Sequence, residues 1–225
     1  MASVKSWAST NGYDYRFMDD ELFHPMPPKL MKKTSAQIVI ATDLARLMQI
    51  RSALQETYEA VVWLDADFFI FKPEGFVLPE TDVALGREVW VQGAEGGKLK
   101  VYKKVHNAFL YFRRGNTFLD FYIETATRLL TSHQGSVPPQ FIGPKLLTAL
   151  HNIVQFPVFE SAGVLSPLVI RDLLAGEGPA LTLFLRHSTE LLNGANLCAS
   201  SVTNGYVTDL QMHQLLEGAI NHLYG

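Results

Sequence analysis

The chain has 225 residues, of which 48% are hydrophobic, 18% charged and 11% aromatic. This composition excludes a disordered or fibrous protein, and the length favours one domain spanning residues 1–225. Nineteen basic and twenty-two acidic side chains give a net charge of −3, which excludes general binding to a nucleic-acid backbone.

The predicted location is the cytoplasm. The longest apolar stretch, around Val61 to Phe71, is interrupted by Asp65 and Asp67, so we expect no transmembrane helix. The first residues lack the apolar core of a signal peptide. Cys198 is the only cysteine and cannot form an internal disulfide, which favours a reducing compartment. Peripheral association with a membrane stays open.

The first third of the chain predicts a strand, a loop, a helix and a buried strand. Alternating aromatic and polar residues over 13–18 predict a short strand, and the prolines of 23–29 predict a loop. Apolar residues at helical spacing, without a proline, predict a helix from Ser35 to Thr57. The apolar run 59–71 is rich in β-branched and aromatic residues and predicts one buried central strand.

The rest of the chain predicts further strands and helices in alternation. Four segments rich in β-branched and aromatic residues predict strands: 82–88, 101–112, 154–159 and 181–187. Capping residues, prolines and apolar spacing predict four helices: 116–132, 141–152, 166–176 and a last one that begins at Thr208 or Asp209. The alternation predicts an α/β fold with a mostly parallel central sheet flanked by helices, in which ligands bind at the carboxyl ends of strands.

Asp65 and Asp67 lie one residue apart at the end of the predicted strand segment Val61 to Leu64. Two carboxylates so close resist joint ionisation unless a cation lies against them. Mg²⁺ and Mn²⁺ prefer oxygen ligands and usually take one or two protein carboxylates while substrate phosphates complete the shell. The pair therefore predicts a Mn²⁺ or Mg²⁺ site; the alternative is a turn in which both side chains bond local backbone.

Four segments resemble, in order, the motifs of nucleotide-sugar-dependent glycosyltransferases with the GT-A fold. VVWLDADFFIF at 61–71 resembles their D-x-D strand, and ATDLAR at 41–46 is similar to the A-[ST]-D-x-x-R element of glycosyltransferase family 32. That family includes mannosyltransferases and enzymes of capsular polysaccharide synthesis. The segments 106–124 and 141–151 resemble its asparagine, strand and helix segment and its G-P-x-x-L-T motif. Together with the opening stretch, the resemblance covers about residues 6–151.

The resemblance implies a Rossmann-like GT-A fold and a metal-dependent transferase. Such an enzyme moves a hexose from a UDP- or GDP-sugar to a glycan, lipid-linked or other hydroxyl acceptor, and the resembling families retain the anomeric configuration. The family's usual first strand has no counterpart after Met1, so we expect a fold that lacks this strand or a chain that begins late.

The resemblance also implies roles for individual residues. Asp43 and Arg46 lie three residues apart on one face of the predicted helix and would contact the donor sugar and its phosphate. Asn107 would hydrogen-bond donor or acceptor hydroxyls. Gly143 and Pro144 shape a helix N-terminus that could face a phosphate or sugar oxygen. The alternative for Asp43 and Arg46 is an ordinary ion pair, that for Asn107 is a turn residue, and that for Gly143 and Pro144 is a plain helix cap.

A histidine is the candidate for a third metal ligand. GT-A enzymes often place a metal-binding histidine late in the chain, which favours His187 at the end of the predicted strand 181–187. His106, His151 and His213 are its rivals. Trp63, inside the central strand, favours a place in the core over stacking on a sugar.

Residues 87–114 carry seven basic and two acidic side chains. This excess is consistent with attraction of an anionic acceptor, such as a phospholipid-linked or acidic glycan, and also with a hairpin kept soluble by its charges, which we favour.

Two other functions compete with the transferase. Haloacid-dehalogenase-like phosphatases also place D-x-D after a buried strand and use the first aspartate as nucleophile and the second as acid or base. Phe69 stands where those enzymes need threonine or valine. The other alternative is a non-catalytic protein that binds a nucleotide sugar or a glycan.

Overall fold

The computed structural model describes residues 1–224. Its α-helices are α1 (Ala2–Thr10), α2 (Pro28–Thr34), α3 (Ile38–Glu56), α4 (Thr117–Ser132), α5 (Pro144–Val154), α6 (Pro167–Ala175), α7 (Pro179–His187), α8 (Ser200–Thr203) and α9 (Asp209–Glu217). Its strands are β1 (Ala60–Leu64), β2 (Phe68–Ile70), β3 (Val83–Gly93), β4 (Leu99–Arg113), β5 (Val158–Phe159), β6 (Ala162–Val164) and β7 (Gly194–Asn196). None of the helices in residues 1–224 has the length and apolar character needed to cross a bilayer.

The strands form two mixed sheets. In the larger sheet, of order β1-β4-β3-β5, β4 pairs antiparallel with both of its neighbours and β3 pairs parallel with β5. In the smaller sheet, of order β2-β7-β6, β2 is antiparallel to β7 and β6 is parallel to it. The α/β class is therefore confirmed. The prediction of a mostly parallel sheet is wrong, because β3 and β4 are consecutive strands joined by a short glycine-containing turn and form an antiparallel hairpin.

The apolar run 59–71 forms two strands rather than one. β1 belongs to the larger sheet and β2 to the smaller one, and the chain turns between them at Asp65–Asp67. In this turn the backbone N–H of Phe68 donates to the carbonyl oxygen of Asp65 at 2.9 Å. A continuous buried strand would bury at least one of the two carboxylates, whereas a turn at the sheet end leaves them accessible. The acidic pair consequently lies at the junction of the two sheets.

Two further strand predictions are wrong. Residues 13–18 form no strand. The segment 181–187 lies in helix α7, whose start is set by Pro179 in the first turn. Leu181 and Phe184, three residues apart, form the buried face of this helix, so packing on one side outweighs the β-propensity of the segment.

The strand predicted at 154–159 is confirmed only at Val158–Phe159. Helix α5 continues to Val154, and Gln155 ends it with a left-handed backbone at φ 57°. The loop predicted at 23–29 is likewise shorter than expected, because α2 begins with Pro28 at its first position.

Three of the predicted helices end or begin at a residue that caps them, whereas the side chain of Ser166 forms no capping bond at the start of α6. The side chain of Asn116 accepts hydrogen bonds from the N–H groups of Phe118 and Leu119 at the start of α4. Thr208 forms a capping box with Gln211 at the start of α9. Gly176 ends α6 with φ 84°, a conformation that glycine adopts without strain.

Three clusters of buried apolar side chains hold these elements in place. The first lies between the larger sheet and α3, α4 and α5, and it includes Leu44, Leu110 and Tyr122. The second holds the outer half of the β3–β4 hairpin against α6 and α7. The third lies on the other face of the larger sheet around Phe109. Burial of each large apolar side chain contributes about 1.5–3 kcal/mol, so the first cluster fixes α3 firmly against the sheet.

Candidate functional site

The candidate site lies where α3 meets the turn after β1 and a distorted part of β4. The register of β4 against β3 jumps at this point, from Leu85 opposite Leu110 to Gly86 opposite His106. Three residues of β4, 107–109, therefore have no partner in β3, as in a β-bulge. The distortion brings Asn107 next to α3, which carries Asp43 and Arg46.

Arg46 connects the parts of the site. Its Nη1 atom donates to Asp65 Oδ1 at 2.8 Å and to the carbonyl oxygen of Asn107 at 2.7 Å. Its Nη2 atom lies 3.3 Å from Asp43 Oδ1. The Arg46 side chain is only 5% exposed. Burial alone would lower its pKa, but the carboxylates of Asp65 and Asp43 raise it above the ordinary value, so the guanidinium stays charged.

Asp43 is the most deeply buried carboxylate of the site. Its side chain is 3% exposed, and Asn107 Nδ2 donates to its Oδ1 atom at 2.8 Å. Burial raises the pKa of Asp43 to about 6, against the opposing effects of Arg46 and the Asn107 hydrogen bond. Its other oxygen, Oδ2, is buried and has no hydrogen-bond partner among the described residues. Asp43 therefore keeps one free acceptor inside the site.

The predicted G-P motif lies against this free oxygen. Gly143 is the N-cap of α5 and Pro144 its first residue. A Cβ atom on Gly143 would overlap the carboxylate of Asp43, so the close approach of the loop requires a glycine. Tyr122 Oη donates to the neighbouring carbonyl oxygen of Ile142 at 2.8 Å and holds the loop in place.

Asp65 is held on one oxygen only. Its Oδ1 atom accepts hydrogen bonds from Arg46 and from Trp63 Nε1, the latter at 2.7 Å. A quarter of the side chain is exposed. The guanidinium carbon of Arg46 lies 5.7 Å from the centre of the Trp63 ring. Trp63 therefore belongs to the site as well as to the edge of the core, where the sequence had favoured the core alone.

Asp67 is held by the last residue of β7 and by the segment that follows this strand. Asn196 Nδ2 donates to its Oδ1 atom at 2.5 Å, and the backbone N–H of Ala199 donates to its Oδ2 atom at 2.8 Å. The backbone N–H of Leu197 donates to its carbonyl oxygen at 3.1 Å. The turn alternative expected bonds to local backbone, but these donors lie about 130 residues away along the chain, in β7 and in the segment after it.

Asn196 is a site residue that the sequence did not indicate. It is 6% exposed, and its Oδ1 atom accepts from the N–H of Cys198 at 2.8 Å, which orients its amide toward Asp67. Cys198 has a left-handed backbone at φ 49°. Burial raises the pKa of its thiol to about 12, so the sulfur is neutral near pH 7. An asparagine that ends a strand of only three small residues gives no local signal of this role.

The structure does not add a histidine to the cluster. His187 lies at the end of α7. Among residues 1–224, no three His, Cys, Asp or Glu side chains are grouped so that they could hold a metal ion. The structure thus does not group His187 with Asp65 and Asp67, and its role as a third ligand stays a prediction.

Of its rivals, His106 has both ring nitrogens engaged. The N–H of Ala108 donates to His106 Nδ1 at 3.1 Å, so the proton is on Nε2, which donates to the carbonyl oxygen of Ala162 at 3.1 Å. Burial lowers the pKa of His106 to about 4. It is a neutral histidine that joins the two sheets.

A cavity of about 380 Å³ adjoins the cluster. It is lined by residues of β1, an edge strand of the larger sheet, and by the segment 13–18. Its lining includes the following side chains of the site and of the N-terminal segment: Trp7, Tyr13, Arg46, Trp63, Asp65 and Asp67. The two carboxylates therefore face a concave space bordered by aromatic and cationic groups.

The donor atoms at the cavity suit a hard divalent cation. Asp65 Oδ2 accepts no hydrogen bond from the described residues, and the lone pairs of the Asp67 carboxylate exceed its two hydrogen bonds. Two carboxylates with room for water and phosphate oxygens are what Mg²⁺ and Mn²⁺ usually take. The residues present therefore fit the cation that the sequence predicts.

Comparisons with models of protein families, with curated proteins and with solved structures returned no match. The resemblance to glycosyltransferases therefore rests on the sequence motifs alone.

Proposed function

We propose that the protein is a metal-dependent glycosyltransferase that takes a hexose from a UDP- or GDP-sugar. The observation that carries the proposal is the ion pair of Arg46 with Asp65, extended to Asp43 and Asn107. Four residues that three separate motifs contribute meet within hydrogen-bond distance, and they do so beside a cavity. A chance resemblance of short motifs gives no reason for that convergence.

The residues of the cluster would divide the work of donor binding. Arg46 lines the cavity, and its fixed positive charge favours a diphosphate there. The free Oδ2 of Asp43 would accept a hydrogen bond from a sugar hydroxyl that reaches into the cluster. Asn107 and Arg46 hold the Asp43 carboxylate in place, so this acceptor is oriented before the donor binds.

Asp65 and Asp67 would hold Mn²⁺ or Mg²⁺. Arg46 and Trp63 fix the first carboxylate, and Asn196 with the Ala199 N–H fixes the second, so the two are positioned independently. When bound, the cation supplies Lewis-acid stabilisation of the charge on the leaving diphosphate. A glycan, lipid-linked or other hydroxyl acceptor would complete the reaction, with retention of configuration as in the resembling families.

A phosphatase of the haloacid-dehalogenase type has less support. Its second aspartate must donate a proton, yet both oxygens of Asp67 accept N–H groups. The arrangement of the second carboxylate suits an ionised ligand.

Release of UDP or GDP from a panel of nucleotide hexoses, with Mn²⁺ or Mg²⁺ and after chelation by EDTA, tests the proposal. We expect slow, cation-dependent release, and a loss of about 100-fold or more in Asp65→Asn. Asp120→Asn is the matched control, because this carboxylate is 68% exposed and forms only a 3.8 Å contact with Arg51. Full activity of Asp65→Asn, or release of phosphate from phosphomonoesters, contradicts the proposal. Cation-dependent binding without turnover indicates the non-catalytic alternative.

A further inference from the structure

The outer half of the β3–β4 hairpin has two different faces. Val89 and Val91 of β3, with Val101 of β4, pack in the second apolar cluster against α6 and α7. Trp90 and Tyr102 alternate with these residues and therefore point to the opposite face. They lie directly across from each other in the register, are half-buried, and belong to none of the three apolar clusters.

Lysines surround the aromatic pair. The ammonium groups of Lys100 and Lys104 lie 4.8 and 5.1 Å from the centre of the Tyr102 ring. Both lysines are exposed, and both ammonium groups lie over one ring in cation–π contacts. Lys98, which directly precedes β4 and has an extended backbone, continues the row at the turn end. At about 3.3 Å per residue, the row from Lys98 to Lys104 is about 20 Å long.

These charges are largely uncompensated. Among the described residues, none of Lys98, Lys100 and Lys104 forms an ion pair. Residues 88–104 hold four lysines and two glutamates, a net charge of +2, in a chain whose total is −3. Glu88 lies across from Lys104 and offsets one charge, and Glu95 lies at the turn. The hairpin therefore carries a net positive charge in a protein whose net charge is negative.

We propose that this face of the hairpin, Trp90 and Tyr102 with Lys98, Lys100 and Lys104, docks on the surface of a bilayer that contains anionic lipids. Indole and phenol rings favour the headgroup region, where one end is apolar and the other wet. Basic residues beside them gain from the negative surface potential of anionic lipids. The aromatic rings and the lysines lie on the same face of the hairpin, so both can reach the headgroup region together. Membrane docking would add recruitment to the chemistry proposed for the cavity, and it does not depend on that chemistry.

A bilayer fits the face better than an acidic glycan does. A sugar ring stacks on an open aromatic face, but the ammonium groups of Lys100 and Lys104 cover the face of Tyr102. A row about 20 Å long also spans several headgroups rather than one anionic group. Nucleic acid is disfavoured by the net charge of −3.

Co-sedimentation with vesicles of phosphatidylcholine alone, or of equal parts phosphatidylcholine and phosphatidylglycerol, tests the proposal at low ionic strength. We expect binding only to the anionic vesicles, and its loss as salt is added. Each lysine should contribute about fivefold to the partition coefficient, so Lys100→Gln with Lys104→Gln should lower it about 25-fold. The control is Lys29→Gln with Lys32→Gln, which removes the same charge from exposed positions of α2 and should lower it far less.

Trp90 provides a second readout that is independent of the lysines. Its fluorescence should shift to shorter wavelength on anionic vesicles, because the indole leaves water, and the shift should vanish in Trp90→Phe. Equal effects of the two double-lysine variants overturn the proposal. The proposal is also overturned if the protein does not bind the vesicles but is retained by an immobilised sulfated polysaccharide, and if Lys100→Gln with Lys104→Gln abolishes that retention. Neither measurement requires turnover of a nucleotide sugar, so a failed activity test and a failed docking test are distinguishable.

Discussion

Arg46 and Asp65 form an ion pair of 2.8 Å between a side chain that is 5% exposed and one that is a quarter exposed. The pair joins the interior of α3 to the wall of the cavity. Because Arg46 also contacts Asp43, the two carboxylates compete for one guanidinium, and the deeper of them keeps an unpartnered oxygen. An unpartnered oxygen costs stability in a buried network, which is consistent with the ligand-binding role that we propose for this one.

Loss of the guanidinium should destabilise the fold. In Arg46→Met, Asp43 loses its cation while 3% exposed, and a buried carboxylate without its partner costs about 3 kcal/mol or more. The free energy of unfolding in urea measures this. Arg51→Met is the control, since its ion pair with Asp120 is exposed and 3.8 Å long and should contribute less than about 1 kcal/mol. Similar losses of unfolding free energy in both variants would show that the buried network contributes no more to stability than the exposed ion pair does.

The sequence predicts features of the fold and of the candidate site where these depend on neighbouring residues. The caps at Asn116 and Thr208 and the spacing of Asp43 and Arg46 on one helix depend on residues within one or two turns, and the structure has them as expected. Proximity of Asp43 to Asn107 followed from motif resemblance alone, since 64 residues separate them.

The missed features depend on distant contacts. An apolar run such as 59–71 has the same composition whether it enters one sheet or two, and only the pairing of β2 with β7 decides. The bond between Asn196 and Asp67 spans 129 residues, and neither local sequence indicates the other. The segment 181–187 has strand-forming residues, but its packing against the hairpin follows from tertiary structure.

The buried carboxylate of Asp43 should make stability fall as pH rises. Burial raises its pKa in the folded protein to about 6 from 3.8, so between these values the folded state binds more proton than the unfolded state. The contribution is complete below pH 3.8 and is lost as pH rises through about 6, a change of about 3 kcal/mol. Unfolding of the wild type and of Asp43→Asn, measured from pH 4 to 7, gives this slope by difference. A difference that does not change with pH would contradict the assignment.

His106 should produce the opposite slope. Burial lowers its pKa to about 4 from 6.5, so the unfolded state binds the extra proton in that range. Its stabilising contribution is present above pH 6.5 and is lost as pH falls through about 4, again by about 3 kcal/mol. The pH profile of His106→Gln, subtracted from that of the wild type, isolates it. Because the slopes of Asp43 and His106 oppose each other, a flat wild-type profile is compatible with both and only the difference profiles are decisive.

The contact between Gly143 and Asp43 should tolerate no methyl group. In Gly143→Ala the new Cβ meets the Asp43 carboxylate, which Arg46 and Asn107 hold in place, so the loop before α5 must shift, at a cost of about 1–3 kcal/mol. Gly93→Ala is the control, since its Cβ would meet no atom within 4 Å. Removing the obstructing group in Asp43→Ala should restore most of the loss, which a double-mutant cycle on the free energy of unfolding measures. Additive effects of the two substitutions would mean that the loop and the carboxylate are not in contact. The position of Asp43 Oδ2 against the N-terminus of α5 would then be wrong.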